Sequence, residues 1–267
     1  MLNSFSVKTG LWTLGLYTII LSLLGVARGS AGTPDFLQRV ILVALSGFLV
    51  GYFLNPIARA IHGSGWKRFG ILAILIFSLA SISNVLETIL YLPAVAVVGS
   101  FGGGIIQSII LAGILTRVTQ PKQKNSQKEA IRIPLMRRFI FIIVLAVLWI
   151  PVYFLFVTLD TPIVHWLEQG TKDVFSHPSL VSMVGLELVR GIIHACVLLE
   201  IAFLAQGIQR KIWLWGSLAI AILNGWLPIL PVSTLPLGIR IANGVEITLS
   251  SIIFAWIASY LFMKLQS

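Results

Sequence analysis

Apolar residues run through this chain in long continuous blocks, not in the alternation of a water-facing helix or strand, and short polar segments divide them. A helix needs about 20 predominantly apolar residues to cross a bilayer core. The blocks therefore predict an all-α, polytopic transmembrane helix bundle of about eight spans, at 10–28, 38–58, 70–92, 94–116, 139–159, 186–206, 212–231 and 240–262. Leu92-Pro93 splits the block 70–116. As one helix that block would be about 70 Å long, far more than a bilayer, so a hairpin is required. Pro228, Pro231 and Pro236 break the last block in the same way.

Composition agrees with that pattern. The 267 residues are 57% hydrophobic and 10% charged, whereas a soluble domain carries roughly 25% charged residues. Spans and short connectors use almost the whole length, so any chemistry belongs to the bundle or its loops. After the apolar run that opens the chain comes Arg28, and a second span follows closely. That order predicts a retained first span and no cleaved signal.

Charge then orients the chain. With the N-terminus in the cytoplasm, Lys8, Arg59, Lys67, Arg68, Arg210, Lys211, Lys264 and the seven basic residues of 117–138 fall on that side, 14 of the 19. Asp35, Asp160, Glu168 and Asp173 fall opposite. Lys and Arg concentrate on cytoplasmic loops, so both termini are expected inside a cytoplasmic (plasma) membrane, bacterial on this reading. The net charge of +10 flanks apolar spans without interleaved aromatic residues. This points to the lipid bilayer, with anionic headgroups at 117–138, as partner, and not to nucleic acid.

Segment 117–138 is polar and basic and is the one true linker. It divides the chain into a first four-helix half (1–116) and a second (139–267), which suggests a tandem 4+4 repeat. Arg39 and Arg59 bracket span two at the same spacing at which Arg190 and Arg210 bracket span six. ISNVLETIL (82–90) is also similar to IANGVEITL (241–249), although these nonamers fall on spans three and eight.

Ionisable groups at bilayer depth cost about 2.5–3.5 kcal/mol each on insertion scales, so each asks for a reason. In span six Glu187, Arg190 and His194 share a helical face, and Glu200 lies further in and to one side. Span eight begins with Arg240, Asn243 and Glu246, and span three carries Asn84 and Glu87 near its outer end. Together Glu87, Arg190, His194, Glu200, Arg240, Asn243 and Glu246 form the expected substrate-binding set. They would make a polar layer in the outer half of the membrane that takes a small polar solute or ion. The alternative is a network that only fixes packing.

Cofactor chemistry is not expected. Cys196 is the only cysteine, which excludes an intrachain disulfide and a Cys-based metal site. His62 and His194 fall at different depths, unsuited to two axial haem ligands. His165 and His177 share the 160–185 loop with acids, but without tight ligand spacing. The run Gly99-Ser100-Phe101-Gly102-Gly103-Gly104 holds small residues four apart, at Gly99/Gly103 and Ser100/Gly104, favouring close helix packing over a kink.

No hydrolase elbow, zinc-protease helix or phosphate loop occurs, so no catalytic residue is assigned. Glu187-x-x-Arg190-Gly191 is similar to the first motif of the CAAX-protease-like intramembrane family. That family's paired glutamates and further His motifs are missing, and no role is carried over. The functional expectation is binding or transport of a small polar solute or ion. Alternatives are a non-catalytic assembly factor or partner subunit, and an intramembrane enzyme using His194 and Glu200 on a lipid-like substrate.

Overall fold

The computed structural model describes residues 4–27, 36–91, 94–119, 133–167, 179–204, 211–229 and 237–266. Nearly all of these residues are helical. The helices are α1 (Ser4–Ala27), α2 (Phe36–Ala60), α3 (Gly65–Ile76), α4 (Ser83–Tyr91), α5 (Ala94–Val118), α6 (Leu135–Leu167), α7 (Leu180–Leu204), α8 (Ile212–Ile220), α9 (Leu227–Ile229) and α10 (Leu237–Gln266). A π-helical turn, Phe77–Ile82, joins α3 to α4, and a second, Ala221–Trp226, joins α8 to α9. Within the described residues, each interval marked by hydropathy is helical. Among the described residues five helical segments are long and apolar enough to cross a membrane: Phe36–Ala60, Gly65–Leu86, Val97–Val118, Leu135–Leu159 and Gly238–Lys264.

The distribution of side chains is that of a protein solvated by hydrocarbon. Leu37, Ile41 and Leu45 form an exposed apolar stripe on α2, Phe139, Ile143 and Val147 on α6, and Val245, Leu249 and Trp256 on α10. Arg68, Glu187, Arg190, His194 and Arg240 are buried. Soluble monomers rarely expose apolar patches of this extent, and they seldom bury so many charges. Apolar exterior and charged interior define the class: a helical membrane protein.

Close packing sets the geometry of each helix pair. On α2, Gly47 and Gly51 lie one turn apart against Thr9, Thr13 and Tyr17 of α1. A Cβ at Gly51 would meet Thr13 Cβ at 2.6 Å and the Thr9 carbonyl oxygen at 2.9 Å. The same seam carries Asn55, whose amide donates to Ser6 Oγ (3.0 Å) while its carbonyl accepts from Thr9 Oγ1 (3.2 Å). This small-residue seam is stronger than the one expected on α5. There Gly99, Gly102 and Gly103 face open space, and only Gly104 packs closely, against Ser81.

The helices associate in the same order before and after the linker. In the first part α1 packs on α2, α3–α4 on α5, and α1 on α5; in the second α6 packs on α7, α8 on α10, and α6 on α10. Between the parts, α2 meets α8 and the second π turn, α7 meets α4 and the first π turn, and the π turns touch each other. The similar nonamers do not follow this order, since 82–90 runs into α4 and 241–249 lies in α10.

One end of the bundle collects the basic residues. Arg68, at the start of α3, donates to the Ala58 carbonyl (3.3 Å) at the end of α2, and to the Thr119 carbonyl (2.8 Å) and Oγ1 (2.7 Å) after α5. The Arg138 guanidinium lies 4.5 Å from the Phe203 ring centroid, joining the start of α6 to the end of α7. Between α2 and α3, Gly63 takes φ 135°, a conformation side chains disfavour, and Ser64 caps α3 by accepting from the Lys67 amide. Residues 120–132 of the expected linker lie outside the described residues, as do Asp35, Glu168, Asp173 and His177. The expected loop from 160 begins as helix, because α6 continues to Leu167.

Candidate functional site

Two features qualify: a buried ionic group in α6, α7 and α10, and a groove where the two parts of the chain meet. The ionic group is built on α7. Glu187 and Arg190, one turn apart, pair at 2.7 Å and are both essentially inaccessible. The second Glu187 oxygen accepts from Trp149 Nε1 of α6 at 2.8 Å. Gly191 permits this approach, since a Cβ there would lie 2.7 Å from the Ala146 carbonyl oxygen and 2.9 Å from Trp149 Cβ. Two accepted hydrogen bonds, one of them from a guanidinium, offset much of the cost of burying the carboxylate.

Aromatic rings close the group. The Trp149 ring meets His194 edge-on at 4.5 Å and Phe254 at 5.0 Å, and the Arg190 guanidinium lies 6.0 Å from the Tyr153 centroid. Neither nitrogen of the fully buried His194 has a hydrogen-bond partner among the described residues. Sequence reasoning missed Trp149, Tyr153 and Phe254. The available signal was a Trp in the middle of a span, away from the interfaces where Trp is enriched.

The remaining expected residues are staggered. Because α7 starts at Leu180, Glu187 lies about 10 Å and His194 about 21 Å along the helix from its N-terminal end, so His194 is near the middle of α7. Arg240 is buried within about 5 Å of the start of α10, with Glu246 about 9 Å further along. Arg240 and Glu246 are both engaged by neighbouring groups. Asn243 is partly buried, and the Glu87 side chain lies outside the described residues.

Glu200 stands apart. It is exposed, about 15 Å along α7 from Arg190, and lines a groove of about 340 Å³ between α2, α3 and α7. Ile57 of α2, Ile61 just beyond its end, Ile71 and Leu75 of α3, and Cys196 of α7 form much of its wall. Among the described residues Glu200 is its sole charged lining residue, and Ser78, of the first π turn, lines it further from the basic end. The groove lies toward the basic end of the bundle, where α2 ends and α3 begins. Among the described residues no group of His, Cys, Asp or Glu is placed to hold a metal ion.

Comparison with family models, with curated proteins and with solved structures gives no match. The arrangement of residues is therefore the ground for a functional reading.

Proposed function

We propose that this chain is an eight-span protein of a cytoplasmic membrane that binds a small amphiphile in the seam between two four-helix halves. Both termini and the basic linker 117–138 are taken as cytoplasmic, on the positive-inside argument. The halves, 1–116 and 139–267, would form a parallel repeat, a reading supported by their common order of helix packing.

The groove beside Glu200 carries this reading. Ligand sites are commonly about 300–1,000 Å³, mostly apolar, with a few placed polar groups. A wall of aliphatic side chains with one carboxylate fits that description and favours an amphiphile over the small polar solute or ion expected from the outer polar layer. The Glu187 carboxylate is paired with Arg190 and Trp149 in a tightly packed setting, so this group suits a framework role. The two π-helical turns touch where the halves meet, and rocking of the halves about that contact would make binding a step in transport. π-Helical turns are frequent at functional sites.

Photocrosslinking tests the reading. A benzophenone-bearing alkyl amphiphile added to the purified protein should label 57–61, 71–78 and 196–201, with competition by excess unlabelled amphiphile. Labelling spread evenly over the exposed faces of α2, α6 and α10, without competition, would contradict it.

A further inference from the structure

We infer that the occupant of the groove is an aminophospholipid, its amine held by Glu200 and its acyl chain lying along the aliphatic wall. The inference rests on the amphiphile-binding reading above and narrows it to one headgroup chemistry. Three observations carry it.

The first is charge complementarity. Glu200 is exposed and, among the described residues, is the one charged group in a predominantly aliphatic lining. A carboxylate against hydrocarbon is costly unless a cation meets it. Cys196 and Ser78, the other polar lining side chains, supply no positive charge at neutral pH.

The second is register on α3. Lys67, Ile71, Leu75 and Ser78 are spaced by three or four and lie along one helical face. Ile71, Leu75 and Ser78 line the groove, and Lys67 is exposed one turn beyond it, toward the basic end. A phosphoethanolamine headgroup carries an anionic phosphate and a cationic amine joined by a two-carbon bridge. With phosphate toward Lys67 and amine on Glu200, its charges match those at the mouth.

The third is polarity along the groove. From Lys67 and Glu200 the wall runs through Ile71 and Leu75 to Cys196 and Ser78, deeper in the bundle. A lipid of the leaflet at the basic end would therefore enter with its headgroup at the mouth and its chain toward mid-membrane. A quaternary choline can satisfy the charge but donates no hydrogen bond to the carboxylate. An anionic glycerol headgroup would be repelled.

Cys196 gives a native reporter, being the chain's only cysteine and half-buried on the groove wall. The experiment is its alkylation by N-ethylmaleimide in nanodiscs of phosphatidylethanolamine, phosphatidylcholine or phosphatidylglycerol with identical acyl chains. SDS-denatured protein gives the unprotected rate. Alkylation is expected to be at least fivefold slower in phosphatidylethanolamine than in the other two lipids. Glu200→Gln should abolish that difference, Glu200→Asp should retain part of it, and Lys67→Gln should reduce it. Equal protection in all three lipids would overturn the amine assignment while leaving an amphiphile site in place. Alkylation at the denatured rate in every lipid would overturn both. Protection by phosphatidylethanolamine that survives Glu200→Gln would remove Glu200 from the site.

Discussion

Trp149 on α6 donates its indole N–H to Glu187 on α7 at 2.8 Å, and this bond locks a charged residue into the packing of two apolar helices. The carboxylate is held from the other side by Arg190, so the group joins an acceptor, a cation and a neutral donor. Its partners come from the framework itself, which separates it from the groove at Glu200.

Removing one member of that unit should cost more than removing the pair. Arg190→Met leaves the Glu187 carboxylate buried without its guanidinium and is expected to destabilise by about 3–5 kcal/mol. Glu187→Leu combined with Arg190→Met should recover much of that loss. Unfolding in detergent micelles, arranged as a double-mutant cycle, checks this; additive losses would show that the two residues act independently.

The α1–α2 seam separates packing from hydrogen bonding. Asn55→Ala removes two hydrogen bonds, and interhelical bonds in membranes average about 0.6 kcal/mol, so a loss near 1 kcal/mol is expected. Gly51→Leu forces a side chain into Thr13 and the α1 backbone and should cost about 1–3 kcal/mol or detach α1. Protease accessibility of α1 ranks the two, and Gly51→Leu should be the more exposed.

At the basic end, Arg68 reaches α2 and the residue after α5 together. Arg68→Ala should cost about 2 kcal/mol or more, since hydrogen bonds from a charged donor are each worth roughly 1.5–3 kcal/mol. Arg68→Lys should restore only part, because an ammonium is more strongly hydrated than a guanidinium and costs more to bury at this site. Thermal unfolding of the three proteins side by side provides the measurement.

The glycine run of α5 should respond at one position only. Gly99→Ala and Gly103→Ala face open space and are expected to change stability by no more than about 0.5 kcal/mol. Gly104→Val must displace Ser81, whose Cβ is 2.5 Å from a Cβ placed there, and should be clearly destabilising. Equal effects at all three positions would favour a small-residue contact along the whole run.

The helices were legible because lipid imposes a coarse rule: apolar length sufficient to cross the core marks a span. Boundaries were less legible, since α6 and α7 continue past their apolar centres to Leu167 and Leu180. Those few residues shift Glu187 and His194 deeper and spread the expected polar layer along the helix axes. The i, i+3 spacing puts Glu187 and Arg190 on one face, where they pair, but periodicity on one helix cannot name the Trp149 that completes the group. The π-helical turns also leave no periodic trace in a uniformly apolar stretch. Glu200 was singled out as a charge facing away from Arg190. Its groove was invisible because the wall comes from α2 and α3, distant in sequence.

The most direct test of the central claim is a single-particle map of the protein in a lipid nanodisc, with a rigid fiducial bound outside the bundle. The account expects elongated non-protein density between α2, α3 and α7, ending beside Glu200, and protein-only packing between Glu187, Arg190 and Trp149. A groove filled by its own side chains, with ligand density against Arg190 instead, would contradict it.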